Sequence, residues 1–208
     1  MLTYDLALSF FGIAVLLALA PGPDNLFVLM QSAMWGRASG LAVVLGLCTG
    51  LIGHTLAVAV GLAAVFAASE TAFTVLKLAG ALYLLYLAWG AFRAQGRAHS
   101  REQPRKSTAG ALFRRGIIMN LTNPKVSLFF LAFLPQFTSP ARGSVALQTL
   151  SLGALFMLAT LLVFGMLAWF SGALGERIQK SHTAQRALNR LAGVVFLGLA
   201  VKLALSNR

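Results

Sequence analysis

Two short segments set a proline, a charge and an asparagine side by side within otherwise apolar sequence: Pro21-Gly22-Pro23-Asp24-Asn25 and Asn123-Pro124-Lys125. Proline lacks a backbone N–H and clashes with the preceding helical turn, so in lipid it persists only where the freed groups find partners or line a cavity. After each break a new half-helix can begin, with Gly22 or Asn123 at the cap and Pro23 or Pro124 in the first turn. The positive ends of the two half-helix dipoles would then point into the protein and suit an anionic group such as a carboxylate.

Asp24 and Lys125 hold matching places beside these prolines. A charge near the middle of a span costs roughly 2.5 to 3.5 kcal/mol on insertion scales, so each needs a reason to be there. One reason is a zwitterionic substrate, its carboxylate held by Lys125 and the half-helix ends and its ammonium group by Asp24, which could also carry a proton. A structural Asp24–Lys125 ion pair is the alternative, and Asp24 is close enough to one end of its span to be interfacial. The residues expected to bind substrate are Gly22, Pro23, Asp24, Asn25, Asn123, Pro124 and Lys125.

His54 lies near the centre of another apolar run, one helical turn beyond Gly50 and two beyond Gly46. The glycines form a G-x-x-x-G surface for close helix approach, extended by Ala57 and Gly61, which could also serve a homodimer. An intramembrane histidine titrates near neutrality, which makes His54, with Asp24, a candidate for proton coupling. His99 and His182 fall in polar loops, and these three histidines offer no metal-ligand cluster. Cys48 is the single cysteine.

The elements that must position these residues are transmembrane helices. Of the 208 residues, 58% are hydrophobic and 11% charged, against roughly 25% charged in soluble domains. Apolar runs extend over Leu6 to Met30, Ala38 to Ala67, Phe73 to Phe92, Gly116 to Phe137, Val145 to Leu174 and Leu191 to Leu205. A helix needs roughly 20 residues to cross a bilayer, so the first and fourth runs are broken spans and the sixth is short. Lys202 in the sixth can snorkel, as can Lys77 at the start of the third. Leu6 to Ala20 resembles a signal peptide, but the residues before it carry no base and Pro21 would follow the cut, so it is expected to stay as a span.

The net charge of +12 lies between the apolar runs and not along one face, which points to membrane loops and away from nucleic acid. Arg93, Arg97, Arg101, Arg105, Lys106, Arg114 and Arg115 mark the loop after span three as cytoplasmic, and Arg37, Arg177, Lys180, Arg186 and Arg190 fall on the same side. Both termini would then face outward. Residues 97–110 form a basic linker between a first half, 1–96, and a second, 111–208. Each half has a Pro-broken span, a span rich in small residues and a third span; three is odd, so the second copy must insert upside down. The expected fold is an all-α polytopic membrane protein, with about six transmembrane helices in two inverted three-helix repeats.

Pro21 to Asn25, Lys77-Leu78-Ala79-Gly80-Ala81-Leu82-Tyr83-Leu84, Asn120-Leu121-Thr122-Asn123-Pro124-Lys125 and Phe129 to Phe137 together resemble the lysine exporter (LysE/RhtB) family over nearly the whole chain. The resemblance implies a secondary transporter, not an enzyme, in the bacterial cytoplasmic membrane. It would export amino acids or their derivatives by proton antiport, without a cofactor. A redox or metal-ion carrier of a related superfamily is the alternative, but Cys48 alone supplies neither a disulfide pair nor a soft-metal site.

Overall fold

In a bilayer every backbone N–H and C=O must be paired within the chain, and an apolar sequence without strand-like alternation meets that demand with helices. The computed structural model describes residues 2–68, 70–93, 107–171 and 181–205, and among them every regular element is helical. Arg97, His99, Arg101, Arg105, Lys106, Arg177 and Lys180 lie outside the described residues.

Helix α1 (Tyr4–Leu19) stops short of Pro21, and α2 (Pro23–Trp35) starts on a proline at its first position with Gly22 as cap. Gly36 ends α2 at φ 86°, a left-handed conformation that glycine adopts without penalty. Helix α3 (Arg37–Ala68) follows, then α4 (Glu70–Arg93).

The second half repeats this order. Helix α5 (Ala109–Leu121) starts on Thr108, whose hydroxyl accepts from the Ala111 N–H, and α6 (Pro124–Leu128) starts on Asn123. From α6 the chain widens into a π-turn over Phe129–Phe133 and tightens into a 3-10 turn over Leu134–Phe137. Pro135 has no N–H to give, and the Leu134 N–H reaches back to the Phe129 carbonyl, which fits a locally widened helix. Helices α7 (Val145–Phe170) and α8 (His182–Leu205) complete the chain.

Arg37–Gly61 and Val145–Phe170 are each long and apolar enough to cross a membrane. So are two bent pairs, α1 with α2 at 64° and α5 with the Pro124–Phe137 segment at 48°. Helices α4 and α8, of 24 residues each, also exceed the length of a span. Helix α8 is longer than the apolar run Leu191 to Leu205 because polar residues from His182 onward form its first turns. Large apolar side chains such as Leu45, Leu56, Leu82, Tyr86, Leu147 and Met166 face outward, as a polytopic membrane protein requires.

The tightest packing is between α3 and α5. A Cβ on Gly46 would overlap the Phe113 carbonyl, one on Gly116 would overlap the Val43 carbonyl, and one on Gly50 would press on Asn120. The Gly46 and Gly50 stripe is thus a helix contact within the chain, covered by α5, and is not a free face for a second copy. Helix α3 also packs on α7, where Gly153 meets Thr55, while α1 packs on α7 and α4 on α8.

Two apolar clusters result. One gathers Phe10, Phe129, Phe130, Phe133, Phe137 and Phe156, and the other Val28, Val43, Val44, Leu47, Val163 and Phe164. Lys202 does not simply snorkel: its ammonium stands 4.6 Å from the centroid of the Phe137 ring, at the edge of the aromatic cluster.

Gly46→Val and Gly116→Val are expected to destabilise the detergent-solubilised protein by about 1–3 kcal/mol or more, because each forces two helix backbones apart. Gly90→Ala, which meets nothing within 4 Å, should leave the thermal midpoint unchanged or slightly raised.

Candidate functional site

Breaking a helix frees carbonyls at one end and N–H groups at the other, and here side chains at the two breaks supply the missing partners. At the end of α1, Lys125 Nζ donates to the carbonyls of Leu17 at 3.3 Å and Ala20 at 3.1 Å. Asn25 Nδ2 donates to the Ala18 carbonyl at 2.7 Å. At the second break, Asn123 Oδ1 accepts the Lys125 N–H at 3.0 Å, while Asn123 Nδ2 donates to Asp24 Oδ2 at 2.7 Å. His54 approaches the Asn120 carbonyl with Nε2 at 3.2 Å, and because a carbonyl only accepts, Nε2 carries the proton.

Asp24 is 4% exposed, in the first turn of α2, where the N-terminal dipole favours a negative charge. It is thus buried within the helix bundle. Asp24 and Lys125 form no direct ion pair; each is tied to neutral partners, and both border one small cavity. Asn120, Thr160, Leu47, Phe156 and Phe164 are among its other walls, so the space lies between the aromatic and the aliphatic clusters.

Two buried oxygens at the cavity residues, Asp24 Oδ1 and Asn120 Oδ1, have no hydrogen-bond partner among the described residues. Lys125 uses two of its three ammonium protons on carbonyls. The site therefore offers acceptors from Asp24 and Asn120 and a donor from Lys125, with apolar side chains among its other walls. Its space suits little more than a water molecule, so a larger solute requires the helices to part.

Of the residues expected from sequence, Gly22, Asp24, Asn25, Asn123 and Lys125 converge at the crossing of the two breaks. Gly22 matters for its missing side chain, since a Cβ there would stand 3.3 Å from Lys125 Nζ. Pro23 and Pro124 are exposed and set the backbone of the half-helices without forming the cavity wall. His54 stands beside the second break, tilted against the Phe130 ring at 5.6 Å; it touches the cavity residue Asn120 through its carbonyl but does not itself line the cavity. Sequence reasoning did not pick out Asn120 or Thr160 as site residues; the only signal either gives is a polar side chain within an apolar run.

The family described as LysE type translocator matches residues 15–207 of the chain. A homoserine/homoserine lactone efflux protein of Salmonella typhimurium is 33% identical over 203 residues, 98% of each chain. A leucine efflux protein of an Enterobacter species is 30% identical over 196 residues, 92% of this chain and 91% of that one. An uncharacterized membrane protein of Vibrio cholerae is 32% identical over 203 residues, 95% of each. No solved structure matches.

Asn123→Ala removes both the cap on the Lys125 N–H and the donor to Asp24. A loss of about 1–3 kcal/mol is expected, read as a lower thermal midpoint. Asn123→Ser, which keeps a short capping oxygen and a donor, should recover part of it.

Proposed function

The chain belongs to the LysE type translocator family, and from that premise we propose that it exports small amino acids or their derivatives across the bacterial cytoplasmic membrane in exchange for protons. The observation that carries this reading is the opposed pair of cavity groups, Asp24 with a free carboxylate oxygen and Lys125 with a spare ammonium proton, held apart without an ion pair. Once the helices part, a zwitterion can engage both. Its ammonium group takes Asp24 Oδ1 and Asn120 Oδ1; its carboxylate takes Lys125 and the start of the half-helices.

The third substituent then lies against Leu47, Phe156 and Phe164. That wall suits a side chain without charge, in keeping with relatives named for homoserine and leucine efflux. On substrate release Asp24 accepts a proton, which neutralises it for the return step, and His54 beside the second break relays protons to it. Arg37, Arg93, Arg114 and Arg115 support a cytoplasmic placement for the ends of the helices that bear them.

Residues 1–96 and 111–208 act as inverted halves. What supports this is the exchange of partners: α1 packs on α7 while its equivalent α5 packs on α3, and α3 with α7 and α4 with α8 pair as equivalents. Rocking of one half against the other would open the site first to one side and then to the other.

The test is counterflow in proteoliposomes loaded with an amino-acid panel under an imposed pH gradient. Homoserine and leucine should exchange, and collapse of the gradient should abolish uphill movement. Asp24→Asn and Lys125→Met should each cut transport about tenfold or more, the loss expected when a charged hydrogen bond to substrate is removed. Parent-rate transport by both folded variants rejects the site, and silence across the panel rejects the exporter. Unchanged pH dependence in His54→Gln removes the relay.

A further inference from the structure

The buried face of α2 carries polar groups beyond the site. Asp24, Asn25, Val28, Leu29, Gln31 and Ser32 are its buried residues. Gln31 follows Asp24, and Ser32 follows Asn25, by seven residues, two helical turns along the same face, or about 10 Å toward the Trp35 end of the helix.

Gln31 is 1% exposed and Ser32 4%, yet Gln31 Oε1 and Ser32 Oγ have no hydrogen-bond partner among the described residues. Their end of α2 packs with the aliphatic cluster. Gly40 of α3 leaves the room that the Ser32 hydroxyl occupies, with Ala168 of α7 beside the same point. This is not the ordinary behaviour of a hydroxyl in a membrane helix. Ser39, Thr49, Thr55, Thr149 and Ser151 each donate to the carbonyl four residues earlier.

A buried polar group without a partner raises the energy of the state that holds it, and the rise is offset only if another state supplies a partner. The closures along α2 and just beyond its Trp35 end are of a kind that can open. Arg115 of α5 lies over the Phe27 ring of α2 at 4.5 Å, and Arg37 of α3 over the Trp169 ring of α7 at 4.6 Å. Such cation–π contacts are modest when water can replace them. The opposite end is filled by the interlocked phenylalanines, with Phe10 and Phe137 ring centroids 5.2 Å apart.

We propose that Gln31 and Ser32 line the route by which a small polar solute reaches the Asp24 and Lys125 site from the end of the bundle marked by Arg37 and Arg115. Separation of α2 from α5, and of α3 from α7, breaks the two arginine–aromatic contacts, and movement of α2 away from α3 and α7 wets the polar face. Gln31 and Ser32 then supply hydrogen bonds to a solute that is shedding water, two turns before Asp24 and Asn25 take it over. This assignment rests on the transport reading above.

Thiol labelling tests it in inside-out vesicles. In a Cys48→Ser background, Gln31→Cys and Ser32→Cys should react with a charged methanethiosulfonate reagent about tenfold or more faster than Leu203→Cys, a comparably buried position. Saturating homoserine or leucine should change the rate. Reaction no faster than at Leu203→Cys overturns the route even where counterflow is intact, whereas fast labelling without counterflow of any panel member overturns the transport reading and leaves a hydrated path.

Gln31→Leu supplies a second readout with opposite signs. It removes an unpartnered oxygen, so the thermal midpoint should hold or rise while homoserine counterflow falls about fivefold or more, with Gln31→Asn recovering part of the rate. A stable Gln31→Leu protein that transports at the parent rate overturns the proposal. If Gln31→Leu does not fold, the labelling of Gln31→Cys and Ser32→Cys decides.

Discussion

The structure depends on one constraint: a helix broken inside a bilayer must find new partners for the backbone groups it gives up. Two helices are broken, and the breaks meet: Lys125 of the second closes the end of α1, and Asn123 of the second bonds Asp24 of the first. Lys125 and Asn25 take the carbonyls left by α1, and Asn123 both caps the second half-helix and holds Asp24. None of these groups can be removed alone without leaving another unpaired in lipid. The α3 and α5 glycines let the two helix backbones approach closely just before the second break, where Gly50 faces Asn120.

The same arrangement ties ligand to shape. Lys125 and Asp24 are at once the partners that close the breaks and the charges best placed to meet a solute. A carboxylate that draws Lys125 away from Leu17 and Ala20 releases the end of α1. An ammonium group that takes Asp24 competes with Asn123 for it. The differential contacts that a population shift requires are therefore built into the joints on which the two halves would move.

The prolines, Asp24, Asn25, Asn123 and Lys125 were legible in the sequence because charges and helix breakers in apolar runs are costly and stand out. The glycine stripe of α3 was legible as a packing face, and the family resemblance over the chain was legible in four motifs. What the sequence did not reveal was partnership. An Asp24–Lys125 pair was the natural alternative from charge alone, and only the geometry shows Lys125 spending its protons on α1 carbonyls. Nor could spacing reveal that His54 serves the Asn120 carbonyl, that Lys202 turns toward Phe137, or that α8 starts well before its apolar run. Gln31 and Ser32 were overlooked because short polar residues near a span's end are ordinary until their lack of partners is seen.

The opposite charges at matching positions have a consequence of their own. Two backbone breaks of similar form, brought together, would give a site with two similar halves, each offering N–H groups to an anion. Placing Asp24 in one and Lys125 in the other makes the halves chemically unlike while their helix geometry stays related. On the proposed reading, a frame so modified would distinguish one end of a small solute from the other and would suit a ligand that carries both charges a few atoms apart. Asn123 serves both sides of this arrangement, capping the half-helix that carries the cation and donating to the anion, so Asp24 and Lys125 are both tied to a single side chain rather than to each other.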